Sequence, residues 1–207
     1  MSKSSVLIIA TNYDAGSHYT FQWASDLQAE LATMDHTSIL LDAGALCRAG
    51  TTLADAVASA DYVVFFGHGF ADELTALPAG SGGKTVPLVN GSNMGVLAGR
   101  KVFAGCCHSL AKLGRTYAKQ FSAEYVGYDN VFAFETANHH YFRDIVNNAV
   151  VDFVKGASGQ TVAANLQKAW AGLRDAFAGG GILQYRPNAF AAAQYAEDNR
   201  KRIGYAP

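Results

Sequence analysis

Tyr62-Val63-Val64-Phe65-Phe66-Gly67-His68-Gly69 and Lys101-Val102-Phe103-Ala104-Gly105-Cys106-Cys107-His108-Ser109 carry most of the structural information in this chain. Each is a short apolar run, continuous rather than alternating, that stops at a glycine beside a reactive side chain. Strands buried on both faces have this composition, and they belong to parallel sheets covered by helices. Neighbouring parallel strands deliver the residues after their C-terminal ends to one edge of the sheet, where ligands bind. A histidine and a cysteine brought together there form a minimal nucleophilic pair.

Outward from these two runs, strand and helix patterns alternate over residues 5–128. Residues 6–10 read as a first strand, followed by the turn formers Thr11-Asn12-Tyr13-Asp14-Ala15-Gly16. Phe21, Ala24, Leu27 and Leu31 then recur at helical spacing. Residues 38–41 form a second strand, and 51–59 a short helix capped by Thr51 or Thr52. Residues 62–66, 102–104 and 125–126 give the third, fourth and fifth strands, with Leu110, Leu113, Tyr117 and Phe121 marking a helix after the fourth. This alternation predicts a parallel sheet with right-handed crossovers, ordered 2-1-3-4-5. Helical stripes follow, at Phe142, Ile145, Ala149 and Phe153, then at Val162, Leu166, Ala169, Leu173 and Phe177. Gly179-Gly180-Gly181 ends the second of these helices, and a more polar helix follows over 189–202. The expected fold is therefore α/β: a three-layer α/β/α sandwich, mostly parallel, in one domain over residues 1–207. Residues 71–94 are the exception, with Pro78-Ala79-Gly80-Ser81-Gly82-Gly83 between β-prone pieces at 74–77 and 85–89. They read as a hairpin or flap beside His68 that could contribute to specificity, since loops of this length are commonly functional.

Composition narrows the function. A chain of 207 residues can bury a sizeable core, and with half its residues hydrophobic and 16% charged it is not a disordered one. A net charge of -1 excludes the clustered cations that nucleic-acid or polybasic membrane surfaces require. The apolar run at 6–10 is too short for a signal peptide, and no stretch is long enough to span a bilayer. Three cysteines do not make a disulfide framework; reduced thiols and a cytoplasmic location are expected.

His68, flanked by Gly67 and Gly69, sits where the backbone can turn sharply and a substrate can come close. Cys106 and Cys107 lie where the fourth strand gives way to a helix. The first amides of that helix would lower a thiol pKa and could hold an oxyanion. Cys47 reads as a small buried hydrophobe. Adjacent cysteines and histidines point their side chains apart, so Cys106, Cys107, His108, His139 and His140 do not make a metal site. His139 and His140 open a helix and read as surface residues.

A hydrophobic strand ending in His-Gly, a spacer, and a hydrophobic strand ending in a small residue and cysteine resemble the caspase-like cysteine peptidases. That superfamily includes caspases, metacaspases, legumain, gingipains, clostripain, separase and the bacterial CHAT domains. The resemblance rests on residues 63–69 and 102–106, with Glu124-Tyr125-Val126-Gly127-Tyr128-Asp129 similar to the strand after the nucleophile. It implies Cys106 as nucleophile, His68 as its proton-transfer partner, and backbone N–H groups of Gly69 and Cys106 as the oxyanion hole. It further implies a peptide or protein substrate, no cofactor, and dependence on an activating partner or a homodimer in some members. Asp129, with Glu135 as fallback, takes the place of an acidic residue that binds a basic substrate side chain; an Asp-Asn turn at Asp129-Asn130 explains Asp129 equally well.

Two other readings stay open. Gly105-Cys106-Cys107-His108-Ser109 also resembles the nucleophile elbow of class I glutamine amidotransferase-like proteins, including their protease/deglycase-like members, which would make Cys107 the nucleophile. The same fold also serves as a non-catalytic binding module.

Overall fold

The computed structural model describes residues 3–48, 52–78 and 85–207. A six-stranded sheet forms its centre, built from β1 (Ser5–Ala10), β2 (Thr37–Asp42), β3 (Tyr62–Phe66), β7 (Lys101–Gly105), β8 (Tyr125–Tyr128) and β9 (Ile203–Ala206). Their order is β2-β1-β3-β7-β8-β9. The first five are parallel, in the order anticipated, and β9 closes the edge antiparallel to β8 with Tyr125 opposite Ala206. The sequence reading misses β9 because Ile203-Gly204-Tyr205-Ala206 follows a helix directly, with no turn residues between them.

The pleat sorts each strand onto two faces. Tyr62, Val64 and Phe66 face one core together with Ile8, Phe103, Val126 and Tyr128. Covering that face are α1 (Ala15–Thr33), α5 (His139–Val154), α6 (Gly159–Phe177) and α7 (Ala189–Arg202), through Trp23, Leu27, Phe142, Phe153, Trp170 and Ala192. Val63, Phe65, Val102 and Ala104 face the other core, covered by α2 (Ala43–Arg48), α3 (Leu53–Val57), α4 (Arg115–Phe121) and a π-helical turn at Leu110–Gly114. Each fully buried aliphatic or phenyl side chain contributes about 1.5–3 kcal/mol, so the two-sided burial of Phe65 and Phe66 makes β3 a central anchor. The three layers are those read from the sequence, and the five parallel strands fall within a few residues of their expected positions. Thr52 caps α3, accepting from Asp55 N; Thr51 lies outside the described residues.

Residues 69–90 contain the expected antiparallel pair, extended by a third strand. Gly69–Phe70 (β4), Glu73–Leu77 (β5) and Val86–Asn90 (β6) make a separate antiparallel sheet in the order β4-β5-β6. Its inner residues Leu74, Ala76 and Val89 are buried, so the arms form a packed element of the second core. The glycine-rich tip read at 78–83 lies, from Ala79 on, outside the described residues. Among the described residues no helix is long and apolar enough to cross a membrane.

Candidate active site

The site forms at the C-terminal edge of the parallel strands, from the segments following β1, β3, β7 and β8. After β3 the chain runs through Gly67, at a φ of 150° that favours glycine, where a Cβ would also collide with the Thr11 side chain. Gly69 is fixed by close approach: a Cβ there would stand 2.6 Å from the Cys107 carbonyl oxygen and 2.8 Å from Cys106 Sγ. The two glycines thus hold His68 against the turn that carries the cysteines.

His68 has a partner that sequence reading missed. Its Nε2 is shut off from solvent and lies 2.8 Å from Asp14 Oδ2. The oxygen sits off the line of the ring N–H, so the contact acts through charge more than as a linear hydrogen bond. The Tyr13 ring stacks on the imidazole at 5.3 Å between centroids. Asp14 is also the N-cap of α1: Oδ1 accepts from Ser17 N at 2.7 Å while Ser17 Oγ accepts from Asp14 N at 3.0 Å. This is a reciprocal capping box. Burial pushes the Asp14 carboxyl up, but the bonds from Ser17 and the charge of His68 outweigh it and hold its pKa below the ordinary value. Burial, then the Asp14 charge, pushes Tyr13 up to about 12, so it stays a neutral phenol.

The two adjacent cysteines part company. Every β3 residue faces the β7 residue thirty-nine positions later, from Tyr62 opposite Lys101 to Phe66 opposite Gly105. Those pairings end there, and His68 and Cys107 each lie two residues beyond the strand ends. Cys106 has the other parity and enters the second core with no exposed surface. Cys107 packs against the first core and lines a cavity of about 280 Å³ together with Gly67 and His68. The placement thus brings Cys107, the alternative nucleophile of the sequence reading, into one cavity with His68 and leaves Cys106 out of its lining.

Neither thiol has the lowered pKa expected from a helix N-terminus. Burial pushes both up: Cys106 strongly, reinforced by Cys107, and Cys107 against the opposing effects of the Phe132 and Cys107 backbone and of Arg202. The reason lies in the chain path, because helical structure begins only at Leu110, after His108 adopts a left-handed φ of 54°. At rest the Cys107 thiol donates to the Phe132 carbonyl at 3.5 Å. Ser109, which occupies the place of an elbow glycine, ties the turn to the sheet: Oγ donates to Ala104 O at 3.0 Å and accepts from Tyr128 N at 3.1 Å.

The rest of the lining is Gly16, Ser17 and Thr20 of α1 and the segment after β8, with Phe132, Ala133, Phe134 and Thr136 joined by Tyr195 of α7. That segment is pinned residue by residue. His108 N donates to Asn130 O at 2.8 Å, Arg202 Nη1 to Val131 O at 3.0 Å, and the buried Asn199 bonds both backbone groups of Ala133. Phe134 rests on Trp23 at 4.7 Å, and Trp23 Nε1 donates to His139 Nδ1 at 3.2 Å. His139, read as a surface residue, is therefore half-buried behind the wall. Its pKa is lowered by burial first and then by His140 and Arg143.

Neither acidic candidate reaches the cavity. Asp129 is exposed at the end of β8 and absent from the lining. Glu135 is buried, with Oε1 accepting from Asn188 Nδ2 and Oε2 from Asn138 Nδ2, both at 2.8 Å. Burial pushes its carboxyl up, but those bonds and backbone N–H groups win and keep it ionised inside the loop. Cys47, expected in the core, is exposed on α2. Three larger cavities, of about 330, 360 and 450 Å³, are lined by neither cysteine nor histidine among the described residues.

No protein-family model matches this sequence, and no curated protein is significantly similar to it.

Proposed function

We propose that this chain is a caspase-like cysteine peptidase in which Cys107 is the nucleophile, His68 its proton-transfer partner and Asp14 the residue that orients and charges His68. The observation that carries the reading is the shared cavity: Cys107 and His68 line one recess, each two residues beyond the end of adjacent parallel strands. The neutral resting thiol fits general-base activation rather than a standing thiolate. As Cys107 Sγ attacks the scissile carbonyl carbon, His68 takes the thiol proton, and Asp14 stabilises the imidazolium so formed. Backbone N–H groups of Gly69 and of the cysteine turn would receive the oxyanion. His68 then hands the proton to the departing amine nitrogen as the C–N bond breaks, leaving a thioester on Cys107. Water, deprotonated by His68, hydrolyses the thioester and the thiol is restored. The chemistry needs reduced cysteine, which accords with a cytoplasmic setting.

The test is cleavage of a defined peptide library followed by mass spectrometry. Cuts made by the wild type and lost in Cys107→Ala and in His68→Ala support the reading; cuts that survive Cys107→Ala contradict it. The place of Cys107 in the cavity, on the turn between β7 and the following helical segment, supports a second reading, an amidotransferase-like amide hydrolase acting on small molecules. Under that reading the same two variants lose hydrolysis of small primary amides, and the wild type leaves peptides intact. Binding without any turnover would mark a non-catalytic module.

A further inference from the structure

The chemistry of the cavity speaks against the basic substrate side chain expected from the sequence. Apart from His68 itself, no ionisable acid or base other than Cys107 and Tyr195 lines it among the described residues. Its far wall is Phe132, Ala133 and Phe134, and Tyr195 adds a ring. The Glu135 carboxylate is engaged by Asn138 and Asn188. Arg202 lies close enough to act on the Cys107 thiol, yet its guanidinium is occupied by the Val131 carbonyl and by Asp198 at 3.7 Å. No carboxylate, lysine or arginine is among the lining residues to pair with a charged side chain, and the Asp14 carboxylate is engaged by His68 and Ser17; burying a charge without a partner is strongly unfavourable. An apolar side chain would instead replace water on aromatic surface already fixed by Trp23 and Asn199. The volume, about 280 Å³, is at the small end for ligand pockets and suits one side chain rather than a length of peptide.

Resting on the peptidase reading, we infer that the cavity beside Cys107 receives an uncharged apolar side chain of leucine or phenylalanine size from the acyl half of the substrate.

The experiment uses the full chain and peptidyl acyloxymethyl ketones that differ only in the residue next to the ketone: leucine, phenylalanine, arginine or aspartate. The rate of Cys107 modification is read by intact mass and peptide mapping. Leucine or phenylalanine should react about tenfold or more faster than arginine and aspartate. Thr136→Glu, on the exposed rim, should raise the arginine rate toward the leucine rate. An arginine or aspartate probe that matches the apolar probes on wild-type Cys107 overturns the inference while leaving Cys107 as nucleophile. An arginine-to-leucine ratio unmoved by Thr136→Glu overturns it as well. Absence of Cys107 labelling by all four probes overturns the peptidase reading and the inference with it.

Discussion

Replacing Asp14 by asparagine separates the two tasks of its carboxylate. Oδ1 caps α1 through Ser17 N, and Oδ2 faces His68 Nε2 at 2.8 Å. Asparagine caps helices about as well as aspartate, so Asp14→Asn should keep the cap and lose only what the carboxylate's charge adds to stability. Asp14→Ala should lose about 1 kcal/mol, which in a domain of this size lowers Tm by about 2–4 °C. Both variants lose the charge opposite His68. With the two side chains 43% and 44% exposed, solvent screens the pair, and its loss is worth about 1 kcal/mol rather than the several expected of a buried pair. If His68 takes the proton from Cys107, that loss slows Cys107 alkylation about fivefold. The assay is site-resolved iodoacetamide labelling at neutral pH, paired with thermal melts of the three proteins. Equal slowing in both variants, with Asp14→Ala the more destabilised by the lost cap, is the expected pattern. Wild-type labelling in Asp14→Asn would refute the reasoning and leave Asp14 a helix cap only.

Other perturbations reach the scaffold of the site. Gly67→Ala should cost about 2 kcal/mol or more, from backbone strain at its φ and collision with Thr11, seen as a lower urea midpoint. Asn199→Ala removes the partner of two part-buried backbone groups of Ala133, at about 1 kcal/mol each, and should also reduce discrimination among the four ketone probes. The lowered pKa of His139 means that the unfolded chain binds its proton first. Its contribution to stability is therefore present above about pH 6.5 and lost as pH falls through the lower folded value; pH-dependent melts should flatten in that window in His139→Gln. Asp14 adds a second acid-side loss, present above about pH 4 and lost as pH falls through its depressed folded value, which Asp14→Asn should remove.

Much of the scaffold was legible in the sequence because it follows from local rules. The apolar runs gave the five parallel strands, and their alternation with helices gave the sheet order. His68 and the cysteine pair were found because strand ends in such sheets are where side chains gather. Which of Cys106 and Cys107 shares a cavity with His68 was not legible, since it depends on how the two strands pack between their cores. Strands buried on both faces show no polar alternation, so Tyr62–Phe66 and Lys101–Gly105 carry no mark of which residues oppose each other. Asp14 stood only among the turn formers after the first strand; its capping of α1 through Ser17 was not read there, and its nearness to His68 comes from the adjacency of β1 and β3. Asn199 and Asn188 were invisible as parts of the site because they reach the cavity wall from α7 and its N-cap, more than fifty positions after Ala133 and Glu135. Glu135 looked like a substrate ligand because sequence shows a carboxylate without showing the two asparagines that hold it.

The most direct test of the central claim is cysteine-resolved labelling by one apolar peptidyl acyloxymethyl ketone in wild type, Cys106→Ala, Cys107→Ala and His68→Ala. A single adduct on Cys107, retained in Cys106→Ala, lost in Cys107→Ala and strongly slowed in His68→Ala, is the predicted result. An adduct on Cys106, or labelling of Cys107 indifferent to His68, would contradict a Cys107–His68 pair at the edge of this sheet.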